Sequence, residues 1–341
     1  MGKEILNTAI IGAGKAARNL ADAISVCPGA RIVRIMSATG ESSARMAADY
    51  GVIRFGTDYR EVVADRNVQA VIIASPDKFH CEQAVLAAKA GKHILCEKPM
   101  CNSTEEAQQM IQAAESAGVT LMIGFCERFT QPCVEAKERI VKGEIGEPVM
   151  ILARRCHPKY IVRGRSWLND NETGGVLNYA GTHNIDLICW LMDAAPERVY
   201  SEMGQLVLEN QNFTDCAVMT FRFPDNKIAA LYESFAYPDP YPHGVDRSIE
   251  VLGKKGSLKI DFMHQPLSIH SDKGFSIADS VTWPRINNQL SGALINEVNH
   301  FIDSVIEKKP VLTSGKAGLL AIRIADGAKQ AAQSGQAVYI D

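Results

Sequence analysis

The chain has 341 residues, of which 46% are apolar and 22% charged, with a formal net charge of −3. This length predicts two domains, and this composition excludes a disordered chain. The small negative charge and the absence of a Lys/Arg cluster exclude a broad nucleic-acid surface. No apolar run approaches the length of a membrane span, so we expect neither a nucleic-acid nor a membrane partner.

The nine cysteines are scattered along the chain without a Cys-x-x-Cys pair, and most lie inside apolar runs. The first residues, "MGKEILNTAIIG", pass directly into a strand-like run and lack the apolar core of a signal peptide. We therefore expect a cytoplasmic protein with reduced thiols. The eight histidines form no close ligand pair, so we expect no metal site.

The first third of the chain alternates strand-like and helix-like segments. The strand-like runs are "NTAIIGAG", "ARIVRIMS", "VQAVIIAS", "HILCEKP" and "VTLMIGF". The runs between them carry apolar residues at helical spacing, and one begins with Ser103 and Glu106 as a capping box and ends at Gly118. Strands that are apolar throughout are buried on both faces, as in a parallel sheet covered by helices. We predict an α/β Rossmann domain with a doubly wound parallel sheet over residues 1–124.

After about residue 125 the pattern changes to long extended segments with fewer helices. "FRFPDNKIAAL" and "VLGKKGSLKI" predict hairpins, and "GTHNIDLICWLMD" predicts a strong helix among the strands. We predict an α+β substrate-binding and oligomerisation domain over residues 125–341, with a large, mostly antiparallel open sheet. Because an open sheet needs a cover, we expect a homodimer or homotetramer formed through its exposed face.

The first strand-to-helix turn carries a dinucleotide-binding pattern. "IIGAGKAA" places Gly12, Gly14 and Ala17 as G-x-G-x-x-A, directly after a strand and at the start of a helix. In that context the glycines let a pyrophosphate approach the backbone at the helix N-terminus. The predicted cofactor contacts in this turn are Gly12, Ala13, Gly14, Lys15 and Ala16.

The end of the second strand bears on the choice of cofactor. An NAD enzyme usually has a carboxylate there for the ribose hydroxyls, whereas this chain has Ser37 and Thr39. The missing carboxylate removes the repulsion against a 2′-phosphate, and the two hydroxyls offer it donors. The nearest arginine, Arg45, is a helical turn away. We predict NAD(P) binding and favour NADP over NAD.

A lysine follows the strand "HILCE", at the sheet edge where ligands bind in open parallel sheets. Pro99 disfavours a helical conformation at Lys98 and keeps this residue extended. A lysine at this edge can donate to a reacting hydroxyl and stabilise the developing alkoxide. Glu97 can position a ribose or orient the lysine. The alternative is an ordinary surface lysine in a loop.

The segment "GGVLNYAGTHNIDLICWLM" forms the second candidate group of residues. His183 is predicted to open a helix, where the local field disfavours its protonated form and suits it to act as a base. Tyr179 and Asp186 are at helical spacing from it. A capping histidine and a structural aspartate are the alternative interpretations.

Candidate substrate contacts are polar and aromatic side chains near the ends of predicted elements. They are Arg128, His157, Tyr160, Arg165 and Trp167. A ring of hydrogen-bonding groups with one aromatic face suits a neutral, hydroxyl-rich ring. Charged strand ends and a core tryptophan explain most of these residues equally well.

The chain resembles the glucose–fructose oxidoreductase / inositol dehydrogenase / rhizopine-catabolism (Gfo/Idh/MocA) family. The matching motifs run in order along nearly the whole chain: "IIGAGKAA", "VIIASPDKFH", "AGKHILCEKP", "GFCERF", "GEIGEP", "GGVLNYAGTHNID", "LGKKGSLKID" and "GQAVYID". The resemblance implies an NAD(P)-dependent sugar or polyol dehydrogenase acting on CH–OH donors. It implies that Lys98 is the catalytic lysine and His183 the general acid/base. It also implies cofactor contacts by Ser75, Pro76 and His80.

Members similar to 1,5-anhydrofructose reductase carry a similar serine-rich segment after the second strand and use NADP, which supports the cofactor prediction. The chain departs from the family at Tyr179, where many members have an aspartate. A buried tyrosine can donate to a substrate oxygen or share a proton with Lys98 or His183, so we count Tyr179 as a catalytic candidate. A packing change without a catalytic role is the alternative.

The expected reaction is hydride transfer between nicotinamide and a secondary hydroxyl or keto carbon of a sugar, polyol or glycoside. Two alternatives remain open. One is net glycoside cleavage through transient oxidation of the sugar. The other is a non-catalytic NAD(P)-sensing regulatory protein, against which the presence of both Lys98 and His183 counts.

Overall fold

The protein is described by a computed structural model that covers residues 5–163, 175–209, 212–239, 241, 244–263, 267–272 and 274–340. The chain forms two compact units. The first unit combines Met1–Phe129 with Trp283–Leu319, and the second combines Thr130–Thr282 with Leu320–Asp341. The predicted boundary after residue 124 divides the chain once, whereas the two units exchange chain segments twice more. The reason is that residues 283–319 fold with the first unit.

The first unit contains the predicted alternation of strands and helices. Its N-terminal elements are β1 (Leu6–Ile11), α1 (Lys15–Ser25), β2 (Ala30–Met36), α2 (Gly40–Asp49), β3 (Arg54–Gly56), α3 (Tyr59–Ala64), β4 (Ala70–Ile73), α4 (His80–Lys89), β5 (His93–Glu97), α5 (Thr104–Ala117) and β6 (Leu121–Gly124). The predicted caps of α5 are present: Ser103 accepts from the Glu106 backbone N–H at 3.2 Å, and Gly118 ends the helix in the left-handed region.

The strands of this unit form one parallel sheet in the order β3-β2-β1-β4-β5-β6. The strand order reverses between β1 and β4, so the crevice at their carboxyl ends is the ligand-binding position of a doubly wound fold. β4 is buried along its whole length, as the continuous apolar run predicted. The predicted Rossmann fold of the N-terminal domain is confirmed.

The second unit is built on a seven-stranded sheet. Its elements before the return of the chain are α6 (Gln131–Val141), β7 (Pro148–Pro158), α7 (Thr182–Met192), β8 (Arg198–Gly204), β9 (Cys216–Arg222), β10 (Ile228–Tyr237), β11 (Asp246–Gly253), β12 (Ser257–Asp261), β13 (Ser268–Ser271) and β14 (Gly274–Ile277). The chain then returns to the first unit with β15 (Arg285–Ile286), β16 (Gln289–Leu290) and α8 (Ala293–Glu307). Helix α9 (Gly315–Ser334) begins in the first unit and ends in the second, where β17 (Val338–Tyr339) follows.

The large sheet has the strand order β12-β11-β7-β10-β9-β8-β17. Neighbouring strands are antiparallel except for β7 and β10, which pair in parallel. Both predicted hairpins are present, as β9–β10 and β11–β12. The predicted mostly antiparallel α+β domain is therefore confirmed.

One face of the large sheet carries exposed apolar side chains. Alternate residues of β10 such as Ala229, Leu231 and Glu233 are buried, while Ile228 and Tyr232 on the other face are exposed. Leu152 of β7, Val218 of β9 and Leu252 of β11 are also between 42% and 51% exposed. No helix within the described ranges is both long and apolar enough to cross a membrane.

Candidate active site

The turn between β1 and α1 has the geometry of a phosphate-binding turn. Gly12 has φ +122°, and a Cβ there would lie 2.3 Å from the Ala74 carbonyl oxygen, so position 12 requires glycine. At Gly14, a Cβ would meet no described heavy atom within 4 Å, which leaves space above the turn. Lys15 and Ala16 are exposed in the first turn of α1. The backbone N–H groups of this turn can therefore receive a pyrophosphate at the sheet's switch point.

A cluster of hydroxyl groups follows β2 where many dinucleotide sites have a carboxylate. The Ser42 hydroxyl donates to Ser37 Oγ at 2.7 Å and lies 2.7 Å from Thr39 Oγ1. Thr39 also caps α2 by accepting from the Ser42 backbone N–H at 3.2 Å. Ser42 was not predicted from the sequence, although its position three residues after Thr39, the N-cap of α2, is the signal that identifies it. The three hydroxyls can donate to a ribose or to its phosphate.

The segment after β4 is fixed by the buried ring of His80. Its Nε2 lies 2.9 Å from the Ser75 carbonyl oxygen, and its Nδ1 lies 2.9 Å from the Pro99 carbonyl oxygen. The ring is 1% exposed, and burial lowers its pKa. His80 thus lies between the segments that follow β4 and β5, and its predicted contact with a cofactor stays a prediction. Ser75 Oγ donates to Gln83 Oε1 at 2.7 Å, and contacts of Ser75 and Pro76 with a cofactor stay predictions.

Lys98 lies at the carboxyl end of β5, as predicted, and its peptide bond with Pro99 is cis. The Lys98 backbone N–H donates to Glu97 Oε2 at 3.1 Å. Burial raises the pKa of the Glu97 carboxyl, and the Lys98 charge opposes this rise. Across the sheet, a Cβ at Gly124 would lie 3.2 Å from Glu97 Cα and 3.4 Å from Oε2. The close approach of β6 therefore helps to fix the carboxyl group next to the lysine.

Arg128 is buried, with 7% of its surface exposed, and its Nη1 donates to the Leu312 carbonyl oxygen at 3.1 Å. This contact ties the segment after β6 to the segment before α9 within the first unit. The burial of Arg128 thus has a structural explanation, and its predicted contact with a substrate stays a prediction.

In the second unit, the segment before His183 is a π-helical turn, Leu177–Gly181, which continues directly into α7. Helical backbone thus starts at Val176, and His183 does not open the helix. The prediction that a helix N-terminus sets its protonation state was therefore wrong, because the π turn extends the helix upstream. Such turns are often found at functional sites, since they re-aim the side chains around them. His183 is 8% exposed.

Tyr179 belongs to an aromatic cluster with His157 and Phe235. The ring centroids of Tyr179 and His157 are 6.3 Å apart in an edge arrangement, and Phe235 lies 5.6 Å from His157 and 5.7 Å from Tyr179. The structure therefore brings two predicted site residues of the second unit together. Packing accounts for much of the position of Tyr179, and its catalytic role stays a prediction.

Two buried polar residues support this region, and sequence reasoning missed both. Asn184 Nδ2 donates to Glu233 Oε1 at 3.3 Å, and both side chains are at most 1% exposed. A Cβ at Gly181 would lie 2.9 Å from Glu233 Oε2, so a larger residue in the π turn would have to displace this buried carboxyl group. Glu233 lies on the buried face of β10, as the alternation along this strand indicates. Its hydrogen bond with Asn184 of α7 could not be predicted from the sequence.

Three further substrate contacts were predicted from the sequence, namely Tyr160, Arg165 and Trp167. Tyr160 is 44% exposed after β7, and its hydroxyl lies near Gly244. Arg165 and Trp167 lie outside the described residues. Within the part of the chain that is described, no group of three or more His, Cys, Asp or Glu side chains is arranged to hold a metal ion.

Comparison with known proteins covers nearly the whole chain. Residues 6–125 match the family model described as "Oxidoreductase family, NAD-binding Rossmann fold", and residues 137–340 match its "C-terminal alpha/beta domain". An uncharacterized oxidoreductase, YrbE of Bacillus subtilis, is 29% identical over 100% of this chain and 98% of its own length. The scyllo-inositol 2-dehydrogenase (NAD(+)) of the same organism is 27% identical over 98% of this chain and 96% of its own.

Among solved structures, scyllo-inositol dehydrogenase from Lactobacillus casei with bound NAD(H) and scyllo-inositol superimposes with a TM-score of 0.86. It is 22% identical and covers 99% of each chain. At this identity the match supports the fold of both units.

Proposed function

Because this chain belongs to the Gfo/Idh/MocA oxidoreductase family, we propose that it transfers a hydride between a nicotinamide cofactor and a secondary carbinol carbon of a sugar or polyol. One observation carries the proposal. In a single unit, the glycine turn after β1 and Lys98 after β5 lie at the same carboxyl edge of one parallel sheet. The names of the relatives make cyclic polyols such as the inositols the first substrates to examine.

The residues of the first unit fit a dinucleotide. The space at Gly14 and the backbone donors of the α1 N-terminus suit the pyrophosphate, and the hydroxyls after β2 suit the adenosine ribose. When bound, nicotinamide supplies the hydride acceptor and donor. We assign this contact set to the predicted residues of the turn, to Ser37 and Thr39, to Ser75, Pro76 and His80, and to Glu97 and Lys98.

Two side chains are assigned to proton handling in the oxidative direction. His183 removes the proton from the substrate hydroxyl as a general base. Lys98 donates to the same oxygen and stabilises its developing negative charge. Tyr179 is assigned a supporting hydrogen bond to a substrate oxygen, since it packs beside His157. His157, Tyr160 and Arg128 remain proposed substrate contacts, together with Arg165 and Trp167.

We further propose that NADP is preferred over NAD. The support is the set of hydroxyls on Ser37, Thr39 and Ser42, which replaces a carboxylate that would repel a 2′-phosphate. The eight buried cysteines and one partly buried cysteine suit a reducing compartment, so we propose a cytoplasmic location.

We also propose that two copies associate through the outer face of the large sheet. Leu152 lies beside Ala230 in register, and Val218 lies beside Tyr232, so the exposed apolar residues form a band across the central strands that also contains Arg154 and Thr220. A band of this kind is typical of a surface that a second copy covers.

The proposal is tested by measuring reduced nicotinamide during incubation with a panel of inositols, aldoses and glycosides, each with NAD⁺ and NADP⁺. We expect substrate-dependent reduction with at least one cyclic polyol or sugar. Release of an aglycone without net cofactor reduction would instead identify glycoside cleavage. Tight cofactor binding without turnover on any member of the panel would overturn the proposal and favour a sensor.

A further inference from the structure

The buried face of β10, in the middle of the large sheet, contains one carboxyl group. Leu231 and Phe235 are neighbours on this face, and both are at most 1% exposed. Glu233 lies between them and is 0% exposed. In register it lies beside the buried Arg155 of β7, so its cross-strand neighbour carries the opposite charge. An aliphatic side chain would fill the same space without the cost of burying a carboxyl group, so the strand itself does not require glutamate.

Glu233 contacts the helix at the junction of the π turn with α7. Its Oε1 accepts from Asn184 Nδ2 at 3.3 Å. A Cβ at Gly181 would lie 2.9 Å from Oε2 and 3.4 Å from Cδ, so the backbone of Gly181 packs directly against the same carboxyl group. Gly181 and Asn184 are three residues apart and therefore lie on the same side of the helix. Glu233 thus contacts the residue two positions before His183 and the residue directly after it.

The other end of the π turn is held by a different part of the chain. The Val176 backbone N–H donates to the carbonyl oxygen of Thr214, in the segment before β9, at 2.9 Å. Within the turn, the Thr182 hydroxyl donates to the Asn178 carbonyl oxygen at 3.4 Å. A π turn is a rare departure from the α-helical ladder, so contacts outside that ladder help to select it. Thr214 supplies such a contact at the start of the turn, and Glu233 supplies one at its end.

We propose that Glu233 is a positioning residue for His183: bonded to Asn184 and packed against Gly181, its carboxyl group sets the rotation of the helix start from which the His183 side chain extends. This inference rests on the proposed function, since His183 is the general base of that reaction. A hydrogen bond fixes direction as well as distance, whereas an apolar contact lets the helix turn or slide. A displacement of about 1 Å can lower the rate about a hundredfold, so a small rotation has a measurable effect.

Single substitutions test the hydrogen bond. Glu233→Gln keeps an acceptor for Asn184, so we expect a lower melting temperature, since the charge beside Arg155 is lost, but turnover within about threefold of wild type. Glu233→Leu removes the acceptor, so we expect kcat to fall about tenfold while KM changes little. Asn184→Leu removes the donor and should have the same effect on kcat. Glu138→Leu, on an exposed residue of α6, is the matched control and should behave as wild type.

The double variant Glu233→Leu/Asn184→Leu separates positioning from packing. Its melting temperature should lie above those of the two single leucine variants, because neither polar group is left without its partner. Its turnover should stay about tenfold below wild type, because the directional contact is still absent. Recovery of turnover together with stability would overturn the proposal, since packing alone would then explain the pair. A turnover of Glu233→Gln as low as that of Glu233→Leu would overturn it as well.

A further measurement does not depend on turnover. The Cε1–H signal of His183 in NMR spectra of histidine-labelled protein is assigned by its absence from His183→Ala. We expect this signal to move in Glu233→Leu and to stay in place in Glu138→Leu. An unmoved signal in Glu233→Leu would overturn the inference, whether or not wild type has turnover. If the signal moves as expected but wild type has no turnover with any substrate, the proposed function alone fails and the placement of His183 by Glu233 stands.

Discussion

Nδ1 of His80 lies 2.9 Å from the carbonyl oxygen of Pro99, the residue that follows the candidate catalytic lysine. The other ring nitrogen lies 2.9 Å from the Ser75 carbonyl oxygen, so one buried ring lies between the ends of two neighbouring strands and, when neutral, donates to one of the two carbonyl groups. We expect His80→Ala to lower the free energy of unfolding by about 2–3 kcal/mol, because the buried ring and its hydrogen bond are lost. We also expect lower turnover, because the two segments that the ring contacts are then less well fixed. Urea unfolding and initial rates measure the two effects.

The same ring predicts a dependence of stability on pH. Burial lowers the pKa of His80, so the unfolded chain binds a proton that the folded ring resists. The stabilisation by the neutral His80 ring is fully present above the ordinary histidine pKa of about 6.5. It is lost as the pH falls toward the lower pKa of His80 in the folded protein. Urea unfolding at several pH values between neutral and mildly acidic should show this loss in wild type and a smaller loss in His80→Gln. Equal slopes in the two proteins would contradict the assignment.

Lys98 and His183 are the two residues on which the proposed chemistry depends. We expect Lys98→Ala and His183→Ala each to lower turnover by at least about a hundredfold while the cofactor dissociation constant changes little. Fluorescence titration and steady-state rates make this comparison. Lys89→Ala, on an exposed lysine of the first unit, serves as control. Near-normal turnover in both variants would contradict the proposed roles of Lys98 and His183.

The hydroxyl cluster after β2 predicts how the cofactor preference can be changed. Ser37→Asp introduces a carboxylate that repels a 2′-phosphate and accepts from ribose hydroxyls. We expect the ratio of kcat/KM for NADP to that for NAD to fall at least about tenfold. Ser25→Asp, in α1, is the control for an added acid elsewhere in the unit. Clearly tighter NAD binding by wild type would contradict the proposed preference.

Gly181 predicts a steric effect in the second unit. A Cβ at this position would lie 2.9 Å from Glu233 Oε2 and 3.2 Å from the Leu177 side chain. We therefore expect Gly181→Ala to destabilise the protein by about 1–3 kcal/mol and to disturb the π turn that precedes His183. Gly256→Ala is the matched control, because a Cβ there would make ordinary contacts of 3.5–3.8 Å with Ile145. Urea unfolding curves should show a lower midpoint for Gly181→Ala than for Gly256→Ala.

The outer face of the large sheet predicts the behaviour of the protein in solution. We expect light scattering to give a dimer or tetramer at micromolar concentration. Leu152→Glu places a charge in the exposed apolar band and should shift the mass toward the monomer, while cofactor binding persists because the substitution lies in the second unit. Lys255→Glu, on the exposed turn between β11 and β12, is the control. A wild-type monomer would contradict the proposed association.

Local patterns in the sequence determined much of the fold. Continuous apolar runs between helical segments predict a parallel sheet, and the general rules of doubly wound sheets then place Gly12 and Lys98 at one edge without any knowledge of contacts. The hairpins and the caps of α5 were equally predictable, because turn chemistry and capping depend on residues a few positions apart.

Contacts between segments distant in sequence decided the rest. Local periodicity does not show that residues 283–319 return to the first unit, or that the ring of His80 meets the segment after β5. The π turn before His183 brings Gly181 close to Glu233 of β10, a contact between residues far apart in the sequence. The sequence marks Glu297 as one acid among many. Only packing shows that it is fully buried on α8, because burial depends on the surroundings that the folded chain creates.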